Sequence, residues 1–247
     1  VIQFRLAQWV LLGSAVGMVL SAPVSAEPRA VVELFTSQGC SSCPKADKLL
    51  GELAQDRSLI AMSLSVDYWD YLGWKDTLAL PAHTARQRAY ARGRGDRQVY
   101  TPQAVVNGAL HALGSDKSAI ERAVQASRRD AGVLSVPVKV TIDGAELVVD
   151  VAGANSDSVS GEVWLCPVTK AVEVAIERGE NRGRSVIYHN VVRRWVRLGE
   201  WTGRPATWRI PLARIKAERA DEAAIVVQGG SAASPGKMLG ASVAALH

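Results

Sequence analysis

Histidine is scarce in this sequence, and the four present, His83, His111, His189 and His247, stand at no spacing that a metal site uses. A dedicated metal centre is therefore not expected. No Ser-His-Asp signature, phosphate-binding glycine loop or pair of positioned carboxylates is visible, which removes the sequence grounds for those chemistries. Internal repeats and long low-complexity tracts are lacking too. Beyond residue 26 no apolar run approaches the roughly 20 residues that a bilayer-spanning helix needs, so no later transmembrane segment is expected. Excess charge is small: the formal balance is +5. Five arginines do crowd into Arg86 to Arg97. No aromatic interleaving accompanies them, so they read as a solvated helix face and not as a nucleic-acid site. What remains is a chain of 247 residues, 48% hydrophobic, able to bury a sizeable core as one large domain or two ordinary ones.

The first 26 residues do not belong to that core. Arg5 lies in a short n-region, Trp9 to Leu20 is almost unbroken apolar, and Val24-Ser25-Ala26 ends in small residues before Glu27. The apolar stretch of about twelve residues is too short to span a bilayer, and the pattern reads as a cleaved signal peptide. Its removal takes away one positive charge. Export, to a periplasmic or extracellular space, places the cysteines where a disulfide can persist.

Cysteine is itself sparse, with three in the chain. Two of them, Cys40 and Cys43, stand in the most informative stretch, Val31 to Pro44. There a β-favouring run, Val-Val-Glu-Leu-Phe, breaks into a polar turn, and Cys40-Ser41-Ser42-Cys43-Pro44 opens a segment whose Ala46, Leu49, Leu50 and Leu53 have helical spacing. A Cys-x-x-Cys can be half of a zinc site, a structural clip or a redox pair, and the flanking strand and helix favour the third. A helix N-terminus stabilises a thiolate through its free N–H groups and macrodipole. Cys40, nearer solvent, would attack, and Cys43, one turn in, would resolve.

The chain then reads as a second strand at Leu59 to Val66 and a helix opened by Pro81 and ended by Gly93 and Gly95. A hairpin of Gln103 to Asn107 and Ala109 to Leu113 turns at Gly108, and a helix runs from an N-cap at Ser115 to about Arg129. In this βαβα-ββα order the dithiol, the Tyr68 to Asp76 segment and Thr101-Pro102 converge at one edge of the sheet. This is the edge where open α/β sheets usually bind ligands. Tyr68, Trp69, Tyr71 and Trp74 either form an apolar wall for a partner peptide or pack against the second half of the chain.

From Leu134 the pattern changes to short strands and tight turns. A hairpin is expected at Asp143-Gly144, and strands at Val163 to Val168, around Val172 to Ile176, at Val186 to Val196, Thr207 to Pro211, Ala224 to Gln228 and Met238 to Ala244. About eight strands at this spacing point to an antiparallel sandwich-like domain. Cys166, mid-strand and without a sequence partner, reads as a buried inert thiol. The expected organisation is a signal peptide over residues 1–26, an α/β domain over 30–130 and an all-β domain over 134–247.

The first half, with its dithiol after the first strand and a proline before the third, resembles the thioredoxin fold. The stretches Glu33 to Pro44, Tyr68 to Asp76, Val99 to Gln103 and Val106-Asn107-Gly108, with the Arg178 to Arg184 loop, resemble more narrowly the secreted thioredoxin-like domain-of-unknown-function family 1223. Lys45 departs from it, standing where a second proline is common. The resemblance implies that Pro102 is cis and lies against the dithiol, and that Thr101 offers its backbone to a substrate peptide. It also implies a buried acid that accepts the resolving thiol's proton, a role that falls on Glu33, for which a strand-end salt bridge is an equal reading. The expectation is an exported thiol–disulfide exchange protein, needing no organic cofactor, whose partner is a thiol- or disulfide-containing protein or peptide. The alternatives are a binding module with a permanent Cys40–Cys43 disulfide and a copper(I)-handling dithiol.

Overall fold

Seven strand-favouring residues, Ala30–Thr36, form β1, and every one of them is buried. In the computed structural model, which describes residues 28–154, 156 and 159–246, this strand is the centre of the first half. The expected signal segment lies outside the described residues. After the polar turn, Pro44 takes the first helical position of α1 (Pro44–Leu53), where its missing N–H costs no hydrogen bond. β2 (Leu59–Ser65) pairs with β1 in parallel. A short 3₁₀ turn (Asp70–Leu72) and α2 (Pro81–Arg94) follow. Gly93 stays inside α2, and Gly95, at φ 77°, ends it. β3 (Gln103–Val106) pairs antiparallel with β1 and forms a hairpin with β4 (Leu110–Leu113). α3 (Lys117–Ser127) is capped by Asp116, whose carboxylate accepts the Ala119 N–H at 2.9 Å. The cap thus falls one residue after the expected Ser115, because the carboxylate is the group that reaches the free N–H.

The second half begins with β5 (Val138–Asp143) and β6 (Glu146–Val151), a hairpin turning at Gly144 and Ala145. Next, β7 (Gly161–Ala175) is one strand of 15 residues where two separate strands were expected. It stays continuous because its start pairs with later strands and its end, from Val168, pairs with β8 (Ser185–Val192). The expected strand from Val186 to Val196 is interrupted. β9 (Val196–Trp201) continues along the same edge of β7 after a break at 193–195. Trp195 leaves the ladder there to lie over the Arg86 guanidinium at 3.6 Å and edge-on to Trp164. β10 (Ala206–Pro211), the single-turn α4 (Leu212–Lys216), β11 (Glu222–Ser231) and β12 (Ser234–Ala245) complete the chain.

One sheet of nine strands runs through both halves in the order β12-β11-β7-β8-β2-β1-β3-β4, with β9 also on β7. The join is narrow: β8 meets β2 at Ser63 and Val191, and Asn190 Nδ2 donates to the Ala61 carbonyl at 2.9 Å. A second sheet, β10-β6-β5, packs through Leu147, Val149 and Val151 on Val163, Leu165, Trp201 and Ile225 of the first. Alternation along β1 decides what each face meets. Val32 and Leu34 pack under α1 and α3, whereas Val31 and Phe35 pack with Tyr90 of α2 and with Cys166, Val226 and Met238 of the second half.

Candidate functional site

The parallel β1–β2 pair and the antiparallel β3 bring the C-terminal ends of two strands and the start of a third to one edge, where Thr36 is level with Ser65 and Phe35 with Gln103. Immediately beyond that edge Cys40 and Cys43 are joined by a disulfide, with Cys43 at the N-cap of α1. The Cys43 carbonyl accepts the Ala46 and Asp47 N–H groups at 2.8 and 3.0 Å, which winds the helix directly onto the second cysteine. Ser42 Oγ lies 3.4 Å from Cys40 Sγ.

The other two loops are tied to this turn. Trp69 packs on Gly39, where an added Cβ would stand 3.1 Å from the Trp69 Cβ, and its indole N–H donates to Thr101 Oγ1 at 2.7 Å. Trp74 donates to Gln38 Oε1 at 2.8 Å, and Tyr68 donates to Gln87. The Thr101–Pro102 peptide bond is cis. Trp69 thus joins the turn that carries Cys40 and Cys43 to Thr101-Pro102, and Trp74 joins that turn through Gln38. Tyr68, Trp69 and Trp74 are half-buried and hydrogen-bonded, so they hold the edge together. Tyr71, 77% exposed and stacked on Trp69, is the aromatic that faces outward.

Glu33 is not part of this group. It points from β1 to the face opposite α1, where its carboxylate accepts Arg86 Nε at 2.6 Å and the Tyr90 hydroxyl at 2.6 Å. Gln228 donates to Tyr90, and Arg86 also donates to Gln228. This buried ion pair is part of the core between the halves and does not contact the dithiol. Strand alternation is the cause: Thr36, an even-numbered residue of β1, faces α1, and Glu33 does not.

The acid on the α1 side is Asp47, one helical turn after Cys43. Its side chain is buried, Oδ1 accepts the Thr36 hydroxyl at 2.7 Å, and Oδ2 has no hydrogen-bond partner among the described residues. Burial pushes the Asp47 carboxyl up to about 7, against the lowering effect of the Thr36 hydroxyl, and nearby Asp76 adds to the rise. Burial likewise raises Asp76, to about 6, although it accepts the Gln38 and Leu78 N–H groups. Neither acid stands out in the sequence, since Asp47 occupies a polar place in an amphipathic helix and Asp76 lies within the loop before α2.

Two further groups come from the second half. Asn181, in the loop between β7 and β8, donates from Nδ2 to the Gln38 and Cys40 carbonyls at 2.9 and 2.8 Å. Glu180 accepts the Ser41 N–H at 3.2 Å. Cys40 is 2% exposed and Cys43 fully buried. Beside α1, an open groove of about 680 Å³ starts at Pro44 and carries Lys48 and Arg184, neither of which forms an ion pair among the described residues. Cys166 is buried, and burial holds its thiol far above the usual range. Among the described residues no group of three or more His, Cys, Asp or Glu side chains is arranged to hold a metal ion, and no helix is long and apolar enough to cross a membrane.

Fold and site define a mixed α/β protein with a disulfide at a helix N-terminus, set where three loops of its main sheet meet. The chain matches the family described as protein of unknown function (DUF1223) over residues 31–228, and it belongs to that family. It is similar to protein AGR_C_4864 from Agrobacterium tumefaciens, whose X-ray crystal structure it matches with a TM-score of 0.80 at 34% identity. That match covers 91% of this chain and 97% of the other. No curated protein matches.

Proposed function

We propose that this is an exported thiol–disulfide exchange protein whose first half is a thioredoxin-like domain. The observation that carries this reading is the Cys40–Cys43 disulfide at the first turn of α1, beside Thr101-Pro102 and the Trp69 segment. In the reduced protein the Cys40 thiolate attacks a sulfur of a partner's disulfide, forming a mixed disulfide and releasing one partner thiolate. Cys43 then loses its proton and attacks Cys40 Sγ. That closes the Cys40–Cys43 bond and releases the second partner thiolate, so two electrons pass from this chain to the partner. The reverse sequence oxidises a partner dithiol. Asp47 accepts the Cys43 proton in the first direction and returns it in the second, and its position and its unpartnered Oδ2 support that role. Thr101 and Pro102 hold the partner peptide, and the groove along α1 takes the chain that flanks its cysteine. The apolar segment before Glu27 supports export.

The near-complete burial of both sulfurs favours a second reading, a binding module in which the disulfide is permanent. The reduction potential of the Cys40–Cys43 pair separates the two, measured on the purified protein with Cys166→Ala as background. Exchange chemistry predicts a value within roughly −120 to −270 mV, whereas a value below about −300 mV means a structural disulfide.

A further inference from the structure

The dithiol turn has a cover that the first half of the chain does not supply. Of residues 177–184, between β7 and β8, Asn181 alone is buried, at 1% exposure, and it sits on the Cys40 backbone. The base of the loop is closed by the Ile176 N–H on the Arg184 carbonyl and the Gly183 N–H on the Ile176 carbonyl, at 2.9 and 2.8 Å. The loop turns at Gly179 near its tip and at Gly183 at its base, both at positive φ. Gly179 lies against Trp74, where an added Cβ would stand 3.3 Å from the Trp74 Cβ. The attachment of the tip to the site is thus small. Among the described residues its hydrogen bonds to the site are two from one amide and one from Ser41 to an exposed carboxylate, and Gly179 stands against the Trp74 Cβ. Asn181 Oδ1 is meanwhile buried with no hydrogen-bond partner among the described residues, so the closed position leaves that atom unsatisfied there. Few buried contacts and a short hydrogen-bond list are the marks of a segment that opens locally while the rest stays folded.

We propose that the Glu177 to Arg184 loop is a gate over Cys40: closed, it holds the sulfur out of reach, and exchange proceeds only from a minor population in which Asn181 has let go of the Gln38 and Cys40 carbonyls. This rests on the exchange reading and adds to it a positioning residue, Asn181, and a step that precedes chemistry. A partner peptide that approaches Cys40 competes with Asn181 for the same backbone acceptors. The gate therefore opens most readily to extended chains that bring their own N–H donors, and small thiols must wait for spontaneous opening.

A gate changes rates without changing the equilibrium between disulfide and dithiol, and the test uses that difference. Asn181→Ala is compared with the unsubstituted protein in three measurements: the rate of disulfide reduction by dithiothreitol, the rate of Cys40 alkylation by iodoacetamide after reduction, located by mass spectrometry, and the reduction potential. Loss of two hydrogen bonds predicts roughly tenfold faster reduction and alkylation, with the potential unchanged. Glu180→Ala, at an exposed position, predicts a smaller acceleration in the same direction and serves if the Asn181 variant does not fold. Equal rates in folded proteins overturn the gate. So does a faster rate matched by a displaced potential, because Asn181 would then stabilise one redox state. The alkylation arm needs no partner. If the disulfide proves too reducing for exchange while alkylation still accelerates, the exchange reading falls and the gate stands.

Discussion

Two buried carboxyls lie on opposite faces of the same sheet, and their surroundings separate their roles. Glu33 has a full set of charged and hydroxyl donors, whereas Asp47 has a single hydroxyl and an unpartnered oxygen. Removing one partner of a buried ion pair leaves the other uncompensated, so Glu33→Gln is expected to cost about 3 to 5 kcal/mol. Denaturant unfolding checks this, and the dithiol's potential should stay where it was. Asp47 behaves in the opposite way. Its carboxyl, raised from 3.8 to about 7 by burial, binds its proton more tightly folded than unfolded. The stability this provides is complete below pH 4 and is lost as pH rises through 7. Asp47→Asn removes that dependence. Relative to the variant, the natural protein should lose up to about 4 kcal/mol between pH 4 and pH 8, measured by unfolding across that range. If Asp47 also takes the Cys43 proton, the pH profile of exchange loses an inflection near 7 in the variant. A purely structural Asp47 changes the first measurement and leaves the second alone.

Among the elements, the β3–β4 hairpin shows how a local turn becomes a joint between the halves. Asn107 and Gly108 both have positive φ at the centre of the turn closed by the Ala109 N–H on the Val106 carbonyl, and the Asn107 carbonyl accepts the Met238 N–H at 2.9 Å. A Cβ at Gly108 would overlap the Gly236 carbonyl oxygen, which is backbone and cannot swing aside. Gly108→Ala therefore combines a left-handed backbone penalty of about 1 to 2 kcal/mol with an overlap of similar size. A loss of about 2 to 5 kcal/mol on thermal or denaturant unfolding is expected, well above the cost of the same change at the open turn of Gly144. The turn itself was legible in the sequence, as were β1, α1, α2 and the β5–β6 hairpin, because each is marked by local chemistry: an apolar run, a helix-opening proline, a turn glycine. What could not be read locally are the features decided by partners distant in sequence. β7 is continuous because different strands take over along its length, and the strand after β8 breaks because Trp195 is needed in the core. The site divides in the same way. Cys40, Cys43 and Thr101-Pro102 are announced by their neighbours, but Asp47 looks like any polar helix residue. Asn181 reaches Cys40 across 141 positions of sequence separation.

At the scale of the molecule the two halves share one sheet and one core, which bears on where the dithiol's environment comes from. The face of the first half that carries Val31, Phe35, Ile60, Met62 and Val105 is covered by α2 together with Cys166, Val168, Val226 and Met238 from the second half. Arg86 and Glu33 likewise close their network through Gln228 and Trp195. A fragment ending at residue 131 would expose that apolar face and leave a buried ion pair without its outer partners. Exposed patches of this kind drive association, and small domains have little stability to spare. The fragment is therefore expected to keep much of its helix signal in the far ultraviolet while losing near-ultraviolet dichroism, or to aggregate. It should also bind a hydrophobic dye that the whole chain does not bind. A fragment that folds cooperatively, with a midpoint like that of the whole chain, would show that the first half carries its own core. The dithiol edge would then be autonomous, with the second half contributing only the loop that covers it. Loss of folding in the fragment means instead that the second half builds the sheet face behind the site as well as the loop in front of it, and that the surroundings of the disulfide depend on both.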